Sequence, residues 1–386
     1  MQSNYKRLGN YIQEVNERDT NMSVTLLLGV SIQKKFIPSI ANIIGTDMST
    51  YKIVRQNQFA YGPVTSRNGD KVSIALLDDY EEAIVSQAYT VFKIIDTEQL
   101  LPEYLMMWFQ RPEFDRYARF KSHGSAREVF DWDELCNTYL PVPDIDKQRE
   151  IIKEYHTITN RIALNKQLIT KLEETAQTIY KQWFVDFEFP DENGQPYKSN
   201  GGEMIDSELG EIPKKWEAGK LIDLLELQRG FDLATQHRKN GLYPIYASTG
   251  VAEYHNDFKV KGPGVVTGRS GSLGEVFYIE EDFWPLNTTL WVKSYKNATP
   301  IFAYYILKSI NISDYNSGSA VPTLNRNHIH LHRLIVPKKT TIERFENIER
   351  KIFHKIKVLI RETHLLYSLS NLLLSKLSTI EEPIHG

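Results

Sequence analysis

The sequence predicts a mixed α and β fold, α/β (α+β), in which a β-rich domain followed by a long helix occurs twice. Three observations predict it: an internal repeat, two apolar seams of heptad spacing, and a glycine- and proline-bearing stretch between the halves. The chain has 386 residues and 41% apolar composition, enough for two or three domains with substantial cores.

The repeat is plainest in two stretches that align without a gap at an offset of 194: HGSAREVFDWDELCNTYLPVP (123–143) and SGSAVPTLNRNHIHLHRLIVP (317–337). Gly124-Ser125-Ala126 meets Gly318-Ser319-Ala320, and both stretches leave through a strand-like Leu-x-Val-Pro. Upstream, VTSRNG (64–69) resembles VTGRSG (266–271), and SQAYTVF (86–92) stands where LNTTLWV (286–292) stands. Each copy then places a proline at the start of an amphipathic aromatic helix, PEYLMMWFQ from Pro102 and PIFAYYILK from Pro300.

Beyond Pro143, apolar residues recur at Ile151, Tyr155, Ile158, Ile162, Ile169, Leu172, Ala176, Ile179 and Trp183, in fours and threes if Asn165 is counted. The same offset carries the seam onto Phe345, Ile352, Ile356, Leu359, Leu366, Leu373 and Leu377, with Glu349, Thr363 and Ser370 as polar interruptions. Leaving such stripes in water is costly, so the two helices are expected to pack on each other as an antiparallel coiled coil, giving a pseudo-two-fold repeat. Asn165 reads either as a register-setting polar residue or as a solvated defect in the seam. Residues 151–183 span about 50 Å as a helix.

The region from Tyr180 to Trp216 reads as an ordered but irregular linker. The boundaries are a first domain at 1–145, a central helix at 146–189, a linker at 190–213, a second domain at 214–340 and a C-terminal helix at 341–386. The overall charge is −3, but residues 1–145 hold 15 Lys/Arg against 19 Asp/Glu, whereas 214–340 hold 16 against 11. The second domain is therefore basic on its own.

The single cysteine, Cys136, cannot form an internal disulfide, and the N-terminal MQSNYKRLGNY lacks the apolar core of a signal peptide. A soluble cytoplasmic protein without a membrane span is expected. An amino-methyltransferase needs an Asn/Asp-Pro-Pro-aromatic motif, and the chain has no Pro-Pro. Asp257-Phe258-Lys259 has the Asp-x-Lys spacing of a nuclease but no acidic partner in a matching strand pattern, and GRSGSLG (268–274) lacks the Gly-Lys-Ser/Thr ending of a nucleotide loop. No catalysis is expected. His328, His330 and His332 alternate as if on one strand, facing solvent with Ile329, Leu331 and Leu334 turned inward or packed at its end; no metal is expected there.

The repeated plan resembles the specificity subunits of type I restriction-modification systems across essentially the whole chain. Three stretches sharpen the resemblance: YKQWFVDFEFP (180–190) is similar to the aromatic end of that family's central helix, SELGEIPKKWEAGKLIDLLE (207–226) to the start of its second target-recognition domain, and TGRSGSLGEV (267–276) to its glycine-rich loops near DNA. The first-domain counterpart, TSRNGDKVSI (65–74), is less glycine-rich and follows Pro63.

The resemblance implies a non-catalytic subunit whose two domains each read half of a split, asymmetric site in double-stranded DNA. Its helices would fix the gap and bind two methyltransferase subunits, with restriction and translocation subunits joining. S-adenosylmethionine, ATP and Mg would sit on those partners, and the chain itself would need no cofactor. Two alternatives are a specificity subunit of a methylation-only or type II-like system, and a coiled-coil adaptor that binds no DNA.

Base edges are read by Arg, Asn and similar side chains in fixed geometry. The candidates are Arg67 and Asn68 in the first domain, Arg269 and Ser270 in the second, and Arg127, Asn325 and Arg326 near the paired Gly-Ser-Ala turns. Trp183, Phe184, Phe187 and Phe189 form an aromatic cluster expected to cap the helix pair and, for Trp183, Phe184 and Phe187, to contact a methyltransferase subunit.

Overall fold

The computed structural model describes residues 5–39, 47–65, 68, 71–122, 128–315 and 323–379. The chain divides into two compact units, Met1–Lys166 with Arg361–Gly386, and Gln167–Ile360. Each is built from one β-rich domain and part of both long helices.

The first unit is organised around an antiparallel sheet with spatial order Ile12–Val15, Thr90–Ile94, Phe59–Tyr61, Ile74–Leu76. The second unit repeats it as Leu225–Arg229, Thr289–Tyr295, Gly264–Gly268, Val276–Ile279. In both, the first strand of the sequence lies beside the last. A small strand pair closes each domain, Tyr5–Arg7 with Tyr139–Pro141 and Glu217–Lys220 with Arg333–Val336. The repeat read from the sequence is thus a repeat of topology.

Packed beside each sheet is the proline-started helix, Pro102–Phe109 or Pro300–Ser309, with Pro at the first helical positions where its missing N–H costs nothing. Phe59 stacks on Phe92 at 4.8 Å in the first core. In the second, Phe184 meets Phe302 at 4.7 Å and Phe345 at 5.0 Å. Buried aromatics of this size dominate the apolar area each domain removes from water.

The central helix runs Ile145–Phe184, beginning six residues before the seam because Asp144 caps it: its Oδ1 accepts from the Lys147 N–H at 2.9 Å. The C-terminal helix is Lys339–Lys376. Within the first unit they pack antiparallel: Ile151 shares a core with Leu374 and Leu377, Arg161 pairs with Glu362 at 3.0 Å, and Asn165 reaches Glu362 and Thr363. Within the second unit Trp183 meets Phe345 at 5.9 Å while Ala176 shares the core with Ile352. Asn165 is fully buried, and its Nδ2 donates to Glu362 Oε2 and Thr363 Oγ1. Its burial and its hydrogen bonds across the helix pair exclude a solvated defect.

Two expectations are corrected. The linker contains a hairpin, Met204–Ser207 with Gly210–Pro213, closed where Gly210 adopts a positive φ of 93°. The histidine stretch is not a strand over 328–332. Asn325 Oδ1 accepts from the Asn327 N–H at 3.0 Å and starts a helical turn, Arg326–Ile329, so the strand begins only at Arg333. Ile329 is buried as expected, but Leu331 is exposed.

Each long helix also reaches into its domain. In the first unit Gln148, fully buried, accepts from the Leu101 N–H at 2.9 Å and donates to the carbonyls of Gln99 and Pro143. In the second, Glu346 Oε2 accepts from the Ile301 N–H at 3.0 Å, and Glu349 accepts from the Tyr305 hydroxyl at 3.1 Å. Orphan donors at the start of the domain helix are thereby satisfied from outside it.

Replacing Gln148 with Ala removes the side-chain partner of three backbone groups, the buried Pro143 carbonyl among them. It is expected to cost about 2–4 kcal/mol and to lower the thermal midpoint by several degrees, measured by circular dichroism. Burial, with the nearby Glu346 carboxylate adding and the Tyr305 hydrogen bond opposing, pushes Glu349 from 4.5 up to about 7. Folded Glu349 therefore keeps a proton that the unfolded chain has released, so its contribution is present below pH 4.5, falls as pH rises to about 7, and is not regained above. Glu349→Gln should flatten that decline and raise stability on the alkaline side by up to about 3 kcal/mol, read from denaturant midpoints across pH.

Candidate nucleic-acid interface

In the second unit the buried strand Gly264–Gly268 runs directly into the predicted loop. At Gly268 an added Cβ would stand 2.1 Å from the Ser272 carbonyl oxygen, and Gly271 and Gly274 take φ of +84° and +95°, so these glycines are what let the loop turn back so tightly. The hairpin closes through Thr267 Oγ1 and the Gly268 N–H, both donating to the Glu275 carbonyl.

Arg269 is held on both sides by backbone. Its N–H and that of Ser270 donate to the Thr288 carbonyl at 2.8 and 3.1 Å, and its own carbonyl accepts from the Leu324 N–H at 2.8 Å. Ser270 also bridges to Thr323. The structure therefore brings Arg269 and Ser270 beside the segment that continues into Asn325 and Arg326. Asn325 spends its side-chain oxygen on the helix cap, whereas Arg326 is exposed at the first position of that helix.

The first unit makes a similar junction, but four residues earlier than the aligned stretches 64–69 and 266–271 would place it: Val64, and not Asn68, stands where Ser270 stands. Val64 bridges to Val129, the Thr65 N–H donates to the Glu128 carbonyl at 2.9 Å, and the Phe130 N–H donates to that of Pro63 at 2.8 Å. Val129 and Thr323 are equivalent under the offset of 194. Asn68 folds its amide back onto the Val64 carbonyl at 3.3 Å. Arg67, Arg127 and both Gly-Ser-Ala turns lie outside the described residues.

The base of the first loop has an anchor that no sequence pattern signalled. Asp115 Oδ1, on the helix Pro112–Lys121, accepts both from the Lys34 ammonium at 2.6 Å and from the Val72 N–H at 3.0 Å. Both side chains are buried, and burial lowers the Lys34 pKa against the opposing pull of Asp115. Residues 34, 72 and 115 are too far apart in sequence for any local period to connect them.

Charge singles out two side chains in the second unit. Of its seven arginines, Arg229, Arg238, Arg333 and Arg350 pair with Asp232, Glu253, Glu208 and Glu346, and Arg344 donates to the Pro190 carbonyl. Arg269 and Arg326 have no such partner among the described residues. They are fixed by backbone and left free to meet an anion or a base edge.

The three histidines play different parts. Burial, with the Arg326 charge adding, holds His330 below its ordinary range, and its Nε2 accepts from the Leu227 N–H at 2.9 Å. His332 bonds the Tyr315 hydroxyl at 2.6 Å, and His328 is exposed on the short helix. Two are structural ties. The aromatic cluster is also turned inward: Trp183, Phe184 and Phe187 are 6%, 8% and 8% exposed, packed around Phe345, Phe302 and Trp216. They cap the core, and that burial leaves no open ring for a partner to cover.

A profile of the type I restriction modification DNA specificity domain matches residues 33–174 and again 213–373, once on each half. The chain is 25% identical over 289 residues to the type I restriction enzyme MjaIX specificity subunit of Methanocaldococcus jannaschii, covering 68% of this chain and 65% of that protein. It is 26% identical over 165 residues to the HindI specificity subunit of Haemophilus influenzae, covering 42% and 35%. This chain thus spans less than two thirds of the length of either relative. The crystal structure of a type I restriction-modification S subunit from M. genitalium superposes with a TM-score of 0.65 at 14% identity, covering 98% of this chain and 96% of that one, and so shares the fold. With the family profile matched over most of its length, the chain belongs to the family of type I restriction-modification DNA specificity subunits.

Proposed function

We propose that the chain reads a split, asymmetric DNA site, each domain contacting one half through its loop junction, and directs adenine-N6 methylation and restriction by partner subunits. The observation that carries this reading is the pair of similar junctions, one of which holds Arg269 and Arg326 on fixed backbone with no counterion among the described residues. An arginine so held suits bidentate contact with guanine or a phosphate. The loops differ in sequence on a shared frame, which favours different bases in the two halves.

The long helices are assigned the spacing. Ile145–Phe184 is continuous over 40 residues, about 60 Å. They are also assigned the methyltransferase. With the aromatic cluster buried, the apolar surface on offer includes Leu365, Leu369 and Leu372 of the C-terminal helix, each about half exposed or more. S-adenosylmethionine, ATP and Mg belong to the partners in this reading.

Co-expression with a type I methyltransferase subunit, followed by mapping of N6-methyladenine on plasmid DNA, should return one motif with two unequal halves and an unread gap. Arg269→Ala should lower methylation of that motif by about tenfold or more while leaving the assembled complex intact. Assembly without sequence-restricted methylation would favour the adaptor alternative.

A further inference from the structure

We infer that the first unit carries a separate binding pocket, formed by Arg111 over Trp108, that takes a carboxylate set beside an apolar group on a polypeptide. The pocket is a cavity of about 300 Å³ with Tyr5, Tyr117 and Tyr139 among its walls and Glu113 at its edge. It is distinct from the loop junction and does not depend on the DNA reading.

Arg111 is the reason to expect a ligand. Its side chain is only 5% exposed, and its guanidinium carbon lies 4.1 Å from the centre of the Trp108 ring. Among the described residues no hydrogen bond reaches the guanidinium. Nε is buried without a partner, and the Glu113 carboxylate stands 3.7 Å from Nη2, too long for a hydrogen bond. The Trp108 indole N–H is likewise buried and unpartnered.

Glu113 is a loose ion-pair partner, too far to take a hydrogen bond, so a desolvated guanidinium keeps open donors, and these are expensive unless a further acceptor completes them. Burial also lowers the Arg111 pKa, opposed by Glu113. Stacking on Trp108 holds the guanidinium plane while its edge awaits an acceptor, the arrangement that bidentate carboxylate recognition uses.

The lining chooses among anions. Among the described residues Arg111 is the one cation lining the cavity, and Glu113 shares the wall, so a polyanionic backbone finds little attraction. The rings supply an apolar bed, and Tyr139, 57% exposed, stands where an approaching chain would cover it. An acidic residue next to an aromatic or aliphatic one satisfies both features.

The second unit does not repeat the feature. Counting from the paired prolines, Trp108 and Arg111 correspond to Ile306 and Ser309, and the strand position of Tyr5 corresponds to Ala218. The pocket is an addition to one copy and not part of the shared frame.

The test is calorimetric titration of the full chain with acetyl-Glu-Phe-amide, acetyl-Gln-Phe-amide, inorganic phosphate and a short DNA duplex. The acidic peptide should bind saturably and the glutamine peptide about tenfold or more weaker. Arg111→Gln should abolish binding. Tyr139→Ala, at an exposed ring, should weaken binding without shifting the melting point, and it decides the matter if Arg111→Gln fails to fold. Absence of saturable binding, equal affinity for the two peptides, or indifference to both substitutions would overturn the proposal. Displacement of the peptide by phosphate or duplex at equal concentration would reassign the pocket to phosphate and overturn it as well.

Discussion

The arrangement depends on a buried polar tie between each long helix and the domain it serves. At the head of the proline-started helix, backbone N–H groups have no partner in their own element. Gln148 answers in the first unit and Glu346 in the second, each from within a long helix. Apolar packing alone would let a domain slide or rotate on the helix, since it is non-directional. A hydrogen bond of fixed geometry removes that freedom, and with it the freedom of the loops that the domain carries.

The two units reach this result with different chemistry. Gln148 is neutral and fully satisfied on three backbone groups. Glu346 and Glu349 are two carboxylates close together in a buried setting, each with one oxygen that takes no hydrogen bond among the described residues, and Glu349 is driven toward its protonated form. The first unit adds the Lys34–Asp115 pair beneath its loop, whereas the second relies on glycines and on the backbone of Thr288 and Leu324. A common frame thus carries loops that are stiffened by unrelated means, which is what permits their sequences to diverge.

Much of this was legible in the sequence, and the reason is periodicity. The seam from Ile151 to Trp183, the paired prolines and the offset of 194 all depend on spacing, and the structure realises them as helices and equivalent strands. Arg269 and Arg326 were named as candidates on residue type, but nothing in the spacing showed that their segments meet. The remaining features depend on contacts across long separations. Asp115 meets Lys34 and Val72, His330 meets Leu227, and nothing local in those stretches announces it. The histidine segment misled because alternation in five residues fits a strand, while a single capping asparagine turned it into helix. Trp183, Phe184 and Phe187 showed their apolar character in sequence but not that the chain's own Phe302, Phe345 and Trp216 cover them.

The central claim is that each domain reads its own part of the DNA through its own junction. Missing-nucleoside interference on the DNA-bound complex tests it most directly. The account predicts two separated clusters of essential bases, with Arg269→Ala erasing one cluster and leaving the other. A single continuous cluster, or loss of both clusters together on that one substitution, would contradict it.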